Sequence, residues 1–213
     1  MPTLEKRDLR KELKHLYNPP TKNVVEVDVP PMNFLMLDGS GDPNTALEYR
    51  QAIEALYGVA YTLKFASKKQ GIDFTVMALE GLWWMDDMGS QYGDFDFAAD
   101  KNLWKWTMMM VQPDHITPPM VEAAIEELRR RKNPAALDKV RFERFHEGLC
   151  AQIMHIGPYS AEKPNIERVH AYIAEHGCEP AGRRHEIYLS DLRRTAPEKL
   201  RTIVRQPMRK RSG

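Results

Sequence analysis

Residues 185–191 (HEIYLSD) place a carboxylate and a phenol two positions apart. The alternation predicts a β-strand in which Glu186 and Tyr188 share one face while Ile187 and Leu189 share the other. A carboxylate among aromatic rings can neutralise a cation or accept a proton from water, and burial would raise its pKa toward the useful range. We predict Glu186 as counter-charge or general base, with a solvated strand carboxylate as the alternative. Tyr188 could donate a hydrogen bond to a ligand oxygen that gains negative charge, or could simply be wall.

Aromatic side chains that could surround this carboxylate are concentrated in the middle of the chain, where the tryptophans fall between positions 83 and 106. Trp104 and Trp106 share one face of a predicted strand and flank Lys105, so they could stack on a flat polycyclic ligand. Such stripes are also typical of a hydrophobic core, and both interpretations stay open. Further candidates for ligand contact are Trp84 (preferred over Trp83), Tyr159 at a loop tip, and Phe34, Met36, Tyr61 and Met108, for which core packing is the alternative.

Charge and cysteine content limit the partners and the compartment. Lysine and arginine (31) nearly balance aspartate and glutamate (30), so the net charge of +1 gives no electrostatic reason to expect nucleic acid or a protein partner. Cys150 and Cys178 form no CxxC motif, which favours a reduced, cytoplasmic protein. The N-terminus has no apolar stretch of the signal-peptide kind, and no apolar run is long enough to span a membrane.

Several site chemistries lack their motifs. The seven histidines are not spaced as HxxxH or HxH and no cysteine pair accompanies them, so we expect no metal ion. There is no GxSxG for a serine hydrolase, and the glycines at 39 and 41 lack the further spacing of a phosphate loop. We therefore expect no cofactor.

The elements that must position these residues follow from periodicity and punctuation. A long helix has Asn44 or Thr45 as its N-cap and ends before Gly71, a second is capped by Thr117, and a third covers about 162–176. A loop over 85–99 has room to cover a ligand. Strands are predicted over residues 24–29, 33–38, 74–82, 103–111, 140–145, 149–156, 185–190 and 200–205.

The same order of elements occurs twice, which indicates duplication. Residues 34–39 parallel 152–157, and residues 107–113 (TMMMVQP) parallel 202–207 (TIVRQP). Two strand–helix–strand–strand units predict an α+β fold of antiparallel sheets whose junction is a groove suited to a ligand. We assign an N-terminal arm at 1–22, one domain at 23–208 with repeats at about 23–116 and 117–208, and a basic tail at 209–213.

The chain resembles the stand-alone members of the GyrI-like small-molecule-binding family. The resemblance rests on five stretches in the family's order, namely residues 55–84, 103–117, 147–162, 185–194 and 197–207. It implies duplicated SHS2-type units around an aromatic central groove, with Glu186 as the acidic residue of that groove. Leu192 replaces the proline of the family's SDPRR, a change that affects a loop. Because there is no helix-turn-helix segment, the role of related transcription regulators does not carry over.

The resemblance to some stand-alone members of the family implies an enzymatic activity. This activity is the hydrolysis of cyclopropanoid, DNA-alkylating natural products by addition of water. We therefore expect a hydrolase that detoxifies flat, amphipathic xenobiotics. The alternatives are a module that sequesters amphipathic or cationic aromatic compounds without turnover, and a protein that binds another protein such as gyrase. The first two need the same groove, and the sequence does not separate them.

Overall fold

The protein has the α+β architecture that the sequence predicts. The computed structural model describes residues 4–86 and 100–211 of the 213. Within these residues, no helix is both long and apolar enough to cross a membrane. The strands are β1 (Glu5–Arg7), β2 (Val25–Val29), β3 (Met32–Ser40), β4 (Ile72–Phe74), β5 (Leu79–Trp84), β6 (Lys105–Gln112), β7 (Arg141–Phe145), β8 (Gly148–Ile156), β9 (Cys178–Pro180), β10 (Arg184–Tyr188) and β11 (Arg201–Lys210).

Three of the helices are long enough to organise the packing. The helices are α1 (Leu9–Glu12), α2 (Lys14–Tyr17), α3 (Leu47–Lys69), α4 (Pro118–Arg131) and α5 (Lys163–Glu175). The N-terminus of α3 differs from the prediction, because its N-cap is Ala46 rather than Asn44 or Thr45. Asp42 causes the shift: its side chain accepts from the Asn44 amide and its carbonyl accepts from the Thr45 and Ala46 amides, which fixes a turn before the helix. Thr117 is the residue before α4, as predicted.

One compact unit is formed by residues 4–13, 32–77 and 100–145. Its antiparallel strands lie in the order β6-β3-β7, and β1 pairs in parallel with β4. Helix α3 packs on β3 and on α4. Successive residues Met108, Met109 and Met110 of β6 are all fully buried, so both faces of this strand belong to the interior.

A second compact unit is formed by residues 14–31, 78–86 and 146–211. Its antiparallel strands lie in the order β2-β8-β11-β10-β5, with β9 beside β11. Helix α5 packs on one face of this sheet, where Ile166 and Val169 join Ile153 and Val204 in a hydrophobic core. Residues 14–17 are bonded to the opposite face, as described below.

Several strands differ from the predicted ones because their partners differ. The predicted strand at 74–82 is two strands: β4 pairs with β1, whereas β5 pairs with β10. Strands β1 and β9 were not predicted, and β11 extends to Lys210 because its last residues pair with β9. Residues 118–145, assigned from the sequence to the second repeat, pack in the first unit, since β7 pairs with β3 and α4 contacts α3. The predicted loop at 85–99 lies largely outside the described residues.

Candidate functional site

Strand β10 presents a charged and aromatic face toward the side of the sheet on which α5 packs. Arg184, Glu186 and Tyr188 alternate along the strand and therefore share this face. The register pairs Glu186 with Val204 of β11, which lies in the core under α5. On the other side Glu186 faces Gly81 of β5, which places no side chain beside the carboxylate.

The Glu186 carboxylate is held by a chain of donors. Arg184 Nη2 lies 2.9 Å from Glu186 Oε1, and the Tyr188 hydroxyl donates to Oε2 at 2.9 Å. The Trp83 indole N–H in turn donates to the Tyr188 oxygen at 2.9 Å. Because Tyr188 accepts from Trp83, its own proton is directed at Glu186. The Glu186 side chain is 8% exposed, so the carboxylate is fixed and nearly enclosed without being sealed from solvent.

The turn before α5 adds a second tyrosine and a second carboxyl group. The Tyr159 ring meets the Tyr188 ring edge-on, with centroids 5.5 Å apart. Burial, together with the charges of Glu162 and Glu186, raises the pKa of Tyr159, so it is a neutral phenol at physiological pH. Glu162 is buried beside Glu186 and Thr202. Burial first, and then the Glu186 carboxylate, raise the pKa of Glu162 well above its usual range.

The arrangement can perform proton chemistry. Two neighbouring carboxyl groups differ in environment, which can separate their roles as proton acceptor and proton donor. Half-buried Tyr159 and Tyr188 form aromatic surface beside them. In the part of the chain that the structure describes, no group of three or more histidine, cysteine, aspartate or glutamate residues is arranged to hold a metal ion.

Of the remaining sequence candidates, Trp84 belongs to the second unit and Tyr61 to the first. Trp83 rather than Trp84 contacts Tyr188, and Trp84 is half-buried with the Arg183 guanidinium 3.5 Å above its ring. Tyr61 is 46% exposed on α3, where its ring neighbours those of Tyr57 and Phe65. Ligand contact by any of these residues stays a prediction. The candidates that are buried in the first unit are Phe34, Met36, Trp104, Trp106 and Met108.

The opposite face of β10 carries a buried polar cluster that sequence reasoning missed. His185 lies on this face, as the alternation predicts, with Nδ1 2.9 Å from Glu147 Oε1 and Nε2 3.0 Å from Glu80 Oε2. Arg205 Nη1 is 3.1 Å from Glu147 Oε2, and the Tyr17 hydroxyl donates to Glu80 Oε1 at 3.0 Å. Burial opposes a charge on His185, but Glu147 and Glu80 outweigh it and raise the pKa of His185 to about 9.

The cluster attaches the N-terminal segment to the sheet. Arg205 Nη2 donates to the Leu16 carbonyl at 2.8 Å, and the Gln152 amide donates to the His15 carbonyl at 2.9 Å. Arg205 also donates from Nε to the Gln152 side chain at 2.9 Å. No local sequence pattern marks these contacts, because the partners are far apart in the chain.

Comparison with known proteins shows the family to which the chain is similar. Residues 22–208 match the model of the GyrI-like small molecule binding domain. No curated protein was found to be similar to the chain.

Three solved structures from Listeria innocua resemble the chain over their whole length. An uncharacterized conserved protein is 39% identical, with a TM-score of 0.86 over 95% of this chain and 100% of that chain. A protein described as a hydrolase is 37% identical, with a TM-score of 0.82 and coverage of 95% and 100%. A hydrolase encoded by lin2189 is 37% identical, with a TM-score of 0.85 and coverage of 96% and 100%. With most of its length matched by the family model, the chain belongs to the GyrI-like small-molecule-binding domain family.

Proposed function

We propose that the protein is a hydrolase that detoxifies cyclopropanoid-type, DNA-alkylating xenobiotics by adding water to the strained ring, with Glu186 as general base. The observation that carries the proposal is the setting of Glu186, a carboxylate only 8% exposed and oriented by Arg184 and Tyr188. The similarity to two Listeria proteins described as hydrolases supports the reaction class. The cyclopropanoid substrate is part of our proposal and follows from the resemblance to stand-alone members of the family.

The proposed reaction needs only water. The oxygen of a water molecule bonded to Glu186 attacks the ring methylene, and the carbon–carbon bond of the cyclopropane breaks. Its electron pair moves through the conjugated system onto the substrate carbonyl oxygen. Glu186 takes one proton from the water, and the same proton is then released from Glu186 and reaches that oxygen, which regenerates the carboxylate, so atoms and charge balance.

The surrounding side chains position the base and the substrate. A fixed carboxylate can hold water in line with the carbon under attack, which lowers the entropic cost of the reaction. Half-buried aromatic rings at Tyr159 and Tyr188 offer edges and faces to a flat, amphipathic ligand. Tyr188 can also turn its hydroxyl from Glu186 to a substrate oxygen as negative charge develops there.

The proposal is tested with a cyclopropane-bearing alkylator. The protein is incubated with an excess of the compound in ¹⁸O-labelled water, and the ring-opened adduct is measured by mass spectrometry. Many turnovers with ¹⁸O in the product are expected for the wild type, and a loss of roughly 100-fold or more for Glu186→Gln. Glu198→Gln, the same change at an exposed turn residue, is the matched control and should remain active. A wild-type protein that never exceeds one product per molecule would refute the hydrolase.

The second candidate is a module that binds and sequesters cationic or amphipathic aromatic compounds without turnover. It is favoured by the match to a small-molecule-binding domain. In that case Glu186 acts as counter-charge, and Glu186→Gln weakens binding of a cationic aromatic dye more than that of a neutral one of similar shape. Protection of DNA from the alkylator would then be stoichiometric.

We also infer where the protein works and what it does not need. Both cysteines are free and buried, which suits a reducing cytoplasm. The net charge of +1 offers no reason to include nucleic acid among the partners. No cofactor or metal takes part in the proposed reaction.

The origin of the fold by duplication is part of the same proposal. In one unit β3 is followed by α3 and pairs antiparallel with β6; in the other, β8 is followed by α5 and pairs antiparallel with β11. The residues that match in sequence lie on these four strands, except Pro113 and Gly157, which directly follow β6 and β8.

A further inference from the structure

We propose that Glu162 is the positioning partner of Glu186: a neutral carboxylic acid that donates a hydrogen bond to the Glu186 carboxylate and keeps it in its reactive orientation. This inference rests on the proposed function, in which Glu186 is the base. Sequence reasoning placed Glu162 only at the start of a helix.

The backbone holds Glu162 rigidly over β10. Its amide donates to the Tyr159 carbonyl at 3.1 Å, and its carbonyl accepts from the Asn165 and Ile166 amides at 2.9 and 3.1 Å. The buried Ile166 side chain anchors this first turn of α5 to the sheet. The side chain of Glu162 is therefore brought to Glu186 by elements that have little freedom to move.

The groups around Glu162 favour a proton on it. Glu162 is 1% exposed, and within the described residues its buried Oε1 has no donor partner. The Glu186 carboxylate is a charged neighbour of Glu162, and two carboxylates cannot hydrogen-bond to each other without a proton. A proton on Glu162 satisfies both groups, because it provides the one donor that the contact lacks.

The charges point to the same protonation state. Among the described residues, Arg184 is the cation that acts on Glu162, and it is also paired with Glu186 at 2.9 Å. One guanidinium balances one negative charge, so the second buried carboxyl group is more stable when neutral. Consistently, burial and the Glu186 charge raise the pKa of Glu162 well above its usual range, and Arg184 and the Thr202 hydroxyl offset only part of this.

Within the described residues, the groups around Glu162 come from three strands and from the turn before α5. Strand β10 contributes Arg184, Glu186 and Tyr188, and β11 contributes the uncharged Thr202. The turn before α5 contributes Tyr159, a neutral phenol. On β8, His155 is paired with Thr202 in the register, but its two ring nitrogens contact the Pro158 carbonyl and the Asn165 amide.

In the proposed reaction the two carboxyl groups have different roles: Glu162 donates a hydrogen bond and Glu186 acts as the base. The pair holds one proton and one negative charge, and the charge stays on Glu186, the more exposed member. Ionisation of Glu162 at high pH would replace a donor by a repelling charge and disturb the base. The alkaline limb of the pH–rate profile therefore reports on Glu162.

Two substitutions separate donation from mere volume. Glu162→Gln keeps a neutral donor that cannot ionise, so kcat should stay within about threefold of the wild type and the alkaline limb should disappear. Glu162→Leu keeps the volume without a donor, and kcat should fall roughly 10- to 100-fold with little change in KM. A glutamine variant as impaired as the leucine variant, or a leucine variant as active as the wild type, would overturn the proposal.

An infrared measurement tests the proton without using activity. At pH 7 the spectrum of the wild type should contain the carbonyl stretch of a buried protonated carboxylic acid. The band should be absent from Glu162→Gln and present in Glu198→Gln. If the band is present but no variant turns over, the proposed hydrolysis fails while the paired carboxyl stands; if the wild type turns over and the band is absent, the reverse holds.

Discussion

The buried contact between His185 and Glu147 predicts how stability depends on pH. The exposed fractions of the two side chains are 1% and 2%. Both ring nitrogens of His185 face carboxylate oxygens, which accept but do not donate, so the imidazole carries a proton on each nitrogen. The His185 imidazolium is therefore the group whose loss of a proton at higher pH should change the stability.

The sign and size of the change in the free energy of unfolding with pH follow from the pKa of His185, which is raised from 6.5 to about 9. Because the folded-state value is the higher one, the stabilisation is complete below pH 6.5 and is lost as the pH rises through 9. The shift corresponds to roughly 3 kcal/mol, of which about 2 kcal/mol disappears between pH 6.5 and 8.5. The same contact, with Arg205, outweighs burial and lowers the pKa of Glu147 to about 2, so the two shifts describe one interaction and are not added.

Urea unfolding at several pH values between 6.5 and 8.5 measures this loss. The free energy of unfolding of the wild type should fall by about 2 kcal/mol across the range. Glu147→Gln removes the negative charge that favours the imidazolium, so its stability should be lower at pH 6.5 and nearly independent of pH. His176→Gln, at an exposed histidine, should keep the wild-type slope. A wild-type stability that is constant or rises over this range would show that His185 is neutral in the folded protein.

Three further outcomes are expected. Gly39→Ala should lower the free energy of unfolding by about 3 kcal/mol, because the new Cβ would lie 2.1 Å from the buried Trp106 ring; urea denaturation measures it, and an unchanged midpoint would contradict the packing. Gly58→Ala should cost far less, since its Cβ meets only the end of the Leu128 side chain at 2.7 Å and alanine favours the helix by about 1 kcal/mol. Cys150, fully buried with its pKa raised by burial, should react with a thiol reagent only on unfolding, and rapid labelling of the native protein would show that this region opens.

The sequence predicts which residues of β10 share a face with Glu186, but not which residues of other elements lie beside them. Alternation puts Glu186 and Tyr188 on one side of a strand, and the two side chains are in fact hydrogen-bonded. It cannot tell which of two neighbouring tryptophans shares that side, because this depends on the register that sets Trp83 opposite Arg184. Glu162 has no local signal at all, since an acidic residue at the start of a helix is ordinarily solvated.

The type of an element could be predicted from local periodicity, whereas the ends of a strand could not, because they depend on a partner elsewhere in the chain. Periodicity within a segment identifies α3, α4 and α5, whose apolar stripes are local. Where a strand begins and ends depends on its partner, as in the division of residues 74–82 between two pairings. The polar cluster around His185 is the extreme case, because its members come from positions 17 to 205 and meet only in the folded chain.

The interleaved composition of the second unit has a consequence for how the protein is made. Its sheet is built from segments that are far apart in the sequence. Strand β5 pairs with a strand about a hundred residues later, and residues 14–17 form their hydrogen bond with Arg205 of the final strand. During synthesis, residues 14–17 therefore leave the ribosome before their partner Arg205 has been made. The assembly of this sheet can be completed only after β11 has been synthesised. Folding dominated by such distant pairings is slow, in the range of milliseconds to seconds, and leaves strand edges exposed meanwhile. The order of synthesis, rather than the strength of any one contact, thus sets when the Glu186 face can first form.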